Sequence, residues 1–190
     1  ANTYDQEWLS NYQDKNGNYY NWNGNDPYNC NPYWDIYKNS NTSSKNIFRL
    51  NARAVYNITS HFKLQGTVGA DMTWMNFEDF KAPTTPGYES GYMQKTSFDN
   101  KMYNAELLAI YTNNWGDWDF TGTAGANLYH VDNQTTLITA KDMKIREVKS
   151  LMSFGETSNE QSSYRKHINS WFAAGNVGWR HMVYLDATVR

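Results

Sequence analysis

The chain has 190 residues, 17 Lys and Arg against 19 Asp and Glu, a formal net charge of −2, and a single cysteine, Cys30. That balance excludes a nucleic-acid binder working through a basic face, and one cysteine excludes an internal disulfide or a cysteine metal cluster. Aromatic residues make up 16% while hydrophobic residues reach only 39%, a composition of β structure with polar loops rather than of a soluble helical enzyme.

The chain opens Ala1-Asn2-Thr3-Tyr4, with no Met and no basic-then-apolar signal run. The start reads as processed or cut. Residues 1–43 are rich in Asn, Asp, Gly, Tyr and Trp and predict a long surface loop with turns at Gly17, Gly24, Pro27 and Pro32. Period two then takes over. Phe48, Leu50, Ala52, Ala54, Tyr56 and Ile58 share one face, with Arg49, Asn51, Arg53 and Asn57 opposite. After a turn at Thr59–His61, Phe62, Leu64, Gly66, Val68, Ala70, Met72 and Trp74 alternate with Lys63, Gln65, Thr67, Asp71 and Thr73. This first hairpin covers 44–75, and a polar loop over 76–96 follows.

A second hairpin covers 97–132. Tyr103, Ala105, Leu107, Ala109 and Tyr111 lie on one face of its first strand, and Asn104, Glu106, Leu108 and Ile110 on the other. Beyond a turn at Asn113–Asp117, the return strand sets Trp118, Phe120, Gly122, Ala124, Ala126 and Leu128 against Asp119, Thr121, Thr123 and Asn127. A third loop covers 133–160, with a short helix expected over Lys141–Met152. The last hairpin, 161–190, places Trp171, Ala173, Val177 and Trp179 with Val183, Leu185, Ala187 and Val189, the turn lying at Arg180–Met182. Its final strand reads as stopping in mid-course.

No segment offers the roughly 20 apolar residues of a membrane helix, but a barrel strand needs only about 9–11, apolar at every second place. The alternating runs are longer than the ~5–6 residues usual in soluble sheets. Trp and Tyr gather at the tight turns, as they do at a membrane–water interface. The apolar face is padded with Ala and Gly, whereas a sandwich core needs bulk. The predicted fold is all-β: a segment of an antiparallel transmembrane β-barrel of about six strands, three hairpins with tight turns on one side and long outer loops on the other. Six strands cannot close a lipid-embedded barrel, whose open edges would leave backbone groups unpaired. The barrel is therefore incomplete, a fragment or part of an assembly.

The run Asn31-Pro32-Tyr33-Trp34 ahead of the strand pair Phe48–Trp74, and the last hairpin, Ile168-Asn169-Ser170-Trp171-Phe172 through Tyr184-Leu185-Asp186-Ala187-Thr188-Val189-Arg190, resemble SusC-like (RagA/SusC-type) TonB-dependent outer-membrane transporters of Bacteroidetes. Val189 stands where Gly is common in that family. The resemblance covers a middle portion of the family's barrel and none of its plug domain. It implies a plugged, 22-stranded bacterial outer-membrane barrel that imports glycan or peptide oligomers. The implied partners are a SusD-like surface lipoprotein, the outer-membrane lipid, and TonB acting through an N-terminal region this chain lacks. No cofactor is implied. Two alternatives share the strands and aromatics: a secreted, soluble all-β carbohydrate-binding module, and a porin-like barrel protein.

Four aromatics of the first loop, Trp22, Tyr28, Tyr33 and Trp34, are candidates to stack on a sugar or peptide or to touch the lid lipoprotein; the simpler reading is that they pin the loop to itself. Arg49, Arg53, Lys63, Asp71 and Glu106 are expected to face the lumen and are candidates to line a solute path; the simpler reading is that they solvate the interior or salt-bridge a plug. Asn21–Asp26 is rich in oxygen ligands but lacks the spaced carboxylates of a calcium loop. His61, His130, His167 and His181 show no ligand spacing along the chain. Ser163-Tyr164-Arg165-Lys166 matches S-x-x-K without its partner motifs. No catalytic or metal constellation is read, and the chain is not expected to be an enzyme.

Overall fold

The computed structural model describes residues 6–20, 29–146 and 148–190. Six strands form one open antiparallel sheet in sequence order: β1 (Ser40–Asn57), β2 (Phe62–Lys81), β3 (Tyr92–Trp115), β4 (Trp118–Met143), β5 (Phe154–Trp179) and β6 (Val183–Val189). Two short helices precede them, α1 (Gln6–Ser10) and α2 (Pro32–Tyr37). No helix among the described residues is long and apolar enough to cross a membrane, which says nothing of strands. The all-β expectation holds: the sheet is an incomplete barrel segment.

The strands outrun their expected limits. The connection expected over 76–96 is confined to 82–91, and the one expected over 133–160 to 144–153. Apolar alternation stops where both strand faces become polar, as along Glu156–Ser163, but backbone pairing requires no apolar side chain. The helix expected over Lys141–Met152 is absent from the described residues, among which Glu147 is not included. Instead β4 continues to Met143, whose N–H donates to Ser90 O at 2.8 Å and whose side chain is buried. Ser150 then caps a single 3₁₀ turn, Leu151–Ser153. The 1–43 segment also holds the two helices, and β1 already begins at Ser40.

The chain divides into two compact units. One comprises Ala1–Lys45, Met75–Phe98 and Thr135–Ser162, the other Asn46–Trp74, Asp99–Gln134 and Ser163–Arg190. The first has a small core: Trp34, Phe80, Ala82, Met93, Ala140, Met143 and Phe154. In the second, Val131 is the one buried apolar side chain among the described residues, and the rest of its apolar side chains are partly or fully exposed.

The second unit's tight turns follow from local chemistry. Gly116, with φ +61°, supplies the left-handed residue between β3 and β4. Between β5 and β6, Arg180 and His181 are both left-handed (φ 51° and 55°), the pattern of a I′ turn usually given to Asn-Gly. Their side chains offset the strain: Arg180 Nε lies 2.8 Å from Asp117 Oδ2 and His181 Nδ1 2.8 Å from Asp119 Oδ2. The register then pairs Trp179 with Val183, Val177 with Leu185 and Ala173 with Val189, keeping the apolar set on one face.

Candidate functional site

In the first unit the Asn-Pro-Tyr-Trp run builds a latch. Asn31 is the N-cap of α2, its Oδ1 accepting from Tyr33 N at 3.0 Å, and Pro32 at the first helical turn carries no N–H to leave unpaired. Asn31 Nδ2 donates to Leu9 O at 2.8 Å, tying the cap to α1. One turn on, Trp34 is 1% exposed and its indole N–H donates to Thr85 Oγ1 at 2.8 Å. Thr85 is buried too, its hydroxyl 2.6 Å from Ala82 O and 3.1 Å from Asn39 Oδ1, which also accepts from Ala82 N at 2.9 Å. Every polar group in this small network is satisfied, the condition on which burying it does not destabilise. Tyr12 and Tyr19 meet the Trp34 ring edge-on at 6.4 and 5.4 Å between centroids.

The four candidate aromatics fare differently. Trp22 and Tyr28 lie outside the described residues, as do the Gly24 and Pro27 turns and the Asn21–Asp26 segment. Trp34 is a core residue whose ring faces are covered. Tyr33 stacks on Tyr37 at 6.2 Å (26°), and Tyr37 stacks on Tyr12 at 5.5 Å (27°). Tyr37 and its neighbour Ile36 are exposed. Among the described residues of this unit, accessible aromatic surface therefore includes a tyrosine ladder beside the exposed Tyr20 and Tyr88, and of the ladder only Tyr33 stands out in the sequence. Tyr33 and Tyr37 sit at i and i+4, neighbours on a helix. That spacing becomes a signal once Asn-Pro is read as a helix start rather than a turn.

Cys30 lies against the same core. Burial, then the charge of Asp35, pushes its thiol up to about 12. Since the thiolate is the reactive form, iodoacetamide at pH 8 should label Cys30 about a hundredfold more slowly than a free peptide thiol. Urea should abolish the difference. Labelling as fast as the peptide would show the core to be open.

The second unit is two-faced. On one side Leu50, Val68, Leu107, Leu128, Trp171 and Leu185 are each more than half exposed. Small residues between them leave two open apolar grooves of about 510 and 470 Å³, the first over Leu64, Leu107, Ala109, Ala124 and Trp171, the second over Leu50, Val68, Ala105 and Leu128. Near the tight turns aromatic rings meet on this face: Phe120 with Tyr111 (6.0 Å) and Trp115 (6.1 Å), and Trp118 with Trp179 (6.4 Å). From Trp118 to Leu128 the face stays apolar for about 33 Å of strand, or about 25 Å in height at a 40° tilt.

The opposite face is polar and paired across strands. Arg49 Nε lies 2.6 Å from Asp71 Oδ2, Arg53 donates to Gln65 at 2.6 Å, Asn127 to Asn104 at 2.9 Å, and Asn176 to Asp186 at 2.6 Å. Arg49, Arg53 and Asp71, read as lumenal, thus have partners on neighbouring strands. The mixed side of β3 has its explanation here as well. A Cβ on Gly125 would clash with the Phe172 ring and come within 2.7 Å of Leu108 Cδ2, so the glycine makes room for two large side chains among polar ones. Among the described residues no group of three or more His, Cys, Asp or Glu is placed to hold a metal ion.

An open antiparallel sheet of long strands with one apolar and one polar face is what an incomplete barrel segment presents. No protein-family model matches the chain, and no curated protein matches it. Solved structures do. The RagAB peptide importer in its "closed-closed" state superposes with a TM-score of 0.73 at 17% identity, over 84% of this chain and 18% of that one. The RagAB peptide transporter gives 0.73 and 17%, over 90% and 20%. The "open-open" state of the importer gives 0.73 and 18%, over 90% and 19%. At this identity the likeness shows the fold, and the chain spans about a fifth of those chains.

Proposed function

We propose that this chain is part of the barrel of a TonB-dependent, SusC-like transporter in a bacterial outer membrane, and that its role is transport rather than catalysis. The observation that carries the reading is the exposed apolar face of the second unit. Contiguous apolar surface on this scale is foreign to a water-soluble monomer, and its height suits a hydrocarbon core. A soluble carbohydrate-binding module would have to bury that face, and among the described residues it stays exposed. The likeness to chains of a peptide importer supports the same reading. The cargo class is peptide or glycan oligomers, taken up with a SusD-like surface lipoprotein and with energy relayed by TonB. In the first unit we assign contact with cargo or lipoprotein to Tyr12, Tyr33 and Tyr37, with Trp22 and Tyr28 as further candidates.

Nitroxide labels test the membrane assignment. In liposomes, labels at Leu64, Val68 and Leu185 should be relaxed by oxygen, which partitions into lipid. Labels at Gln65, Thr67 and Asp186 should respond instead to a water-soluble nickel chelate. A reversed pattern, no alternation, or a monodisperse monomer in detergent-free buffer would overturn the assignment.

A further inference from the structure

Where the apolar face of the second unit ends, two histidines from neighbouring strands meet. His130 on β4 and His167 on β5 bring their Nδ1 atoms to 2.9 Å. Two imidazoles joined end to end along an N–H···N line hold their centroids about 5 Å apart. Here the centroids are 4.1 Å apart with the planes at 53°, so both rings are turned off that line and the two Nδ1 atoms meet at an angle. Tyr103 stacks on His130 at 5.9 Å (28°), fixing that ring's plane. The next residues outward on the same faces, Asp132 and Arg165, pair with each other at 3.2 Å, so the guanidinium that would repel a cation is already balanced.

We propose that His130 and His167 form a two-nitrogen site for a late divalent transition-metal ion, Cu²⁺ before Ni²⁺ or Zn²⁺. Without metal, one Nδ1–H donates to the other Nδ1. Binding shifts that proton through solvent to Nε2 of the same ring, so both imidazoles stay neutral and both Nδ1 lone pairs are free for the ion. Two nitrogens about 2.0 Å from a metal at a right angle lie about 2.8 Å apart, the spacing of cis ligands in a square-planar site, while a tetrahedral ion asks for about 3.3 Å. Cu²⁺ leads the affinity order for nitrogen sites, and a cis pair asks for little movement from the 2.9 Å of the metal-free contact. Exposure of His167 leaves the remaining positions to water or an anionic headgroup. The site stands on the meeting of the two rings across β4 and β5 and does not depend on the transport reading.

The test is Cu²⁺ titration of the full-length protein in a neutral maltoside detergent, followed by electron paramagnetic resonance and calorimetry. One ion per chain should bind with hyperfine splitting from two nitrogens. His130→Gln and His167→Ala should each weaken binding at least about tenfold and leave one nitrogen coupling, while His61→Ala and His181→Ala leave the spectrum unchanged. Near-ultraviolet dichroism confirms that the variants stay folded. An unaltered two-nitrogen spectrum in the His130→Gln/His167→Ala double variant would overturn the site, as would a wild-type protein whose bound Cu²⁺ shows no nitrogen coupling.

Discussion

Leu107→Arg should lower the stability of the bilayer-inserted protein by about 2–4 kcal/mol, the cost of a guanidinium near the middle of a barrel's lipid face. Leu107 lies midway between Tyr103 and Tyr111, is more than half exposed, and borders the groove with Leu64, Ala124 and Trp171. The same substitution at a water-exposed strand position costs within about 0.5 kcal/mol. Urea unfolding from liposomes, followed by tryptophan emission, separates the two outcomes by several-fold. Arg placed instead at Gln65, on the polar face, should cost about 1 kcal/mol, set by the lost Arg53 hydrogen bond and the like charge beside it. Equal effects at the two positions would remove the distinction between the faces.

Trp34→Ala should be the most damaging single change in the first unit, costing about 3–5 kcal/mol. It empties the centre of a core built from few residues and strips Thr85 of its indole donor. Trp34→Phe keeps most of the volume and removes the hydrogen bond, so it should cost about 1 kcal/mol. Hydrogen exchange over 29–39 and 82–91 reports both, because the latch joins these segments. Trp34→Ala should speed exchange there by two orders of magnitude or more, and the second unit, which shares none of these contacts, should keep its protection. Unchanged exchange at 82–91 would show that the latch holds nothing.

The division of the sheet into hairpins was legible in the sequence because alternation and turn residues are local. Val177 and Leu185 fall on one face by parity alone, and they are register partners. Strand ends were less legible. Alternation reports where one face meets an apolar neighbour, not where backbone pairing stops, so the polar stretch Glu156–Glu160 read as loop although it lies in β5. The aromatic candidates show a different limit. Composition marks Tyr33 and Trp34 equally, yet one helical turn sends Trp34 into the core and leaves Tyr33 on the ladder with Tyr37. The meeting of His130 and His167 was invisible for a third reason: they are 37 positions apart and are brought together only by the register of β4 and β5.

The two apolar grooves carry a consequence for how this surface tolerates change. A protein core is a solid whose neighbours must match in shape, so adding or removing a methylene there is felt. Acyl chains are a liquid and flow into whatever relief the strands present. Substituting Leu for Ala124 or Ala109 should fill a groove without straining a neighbour, whereas a charge at either place is excluded. Such a face constrains polarity and leaves shape nearly free. Many sequences satisfy it, and two chains can keep the same sheet while agreeing at few positions.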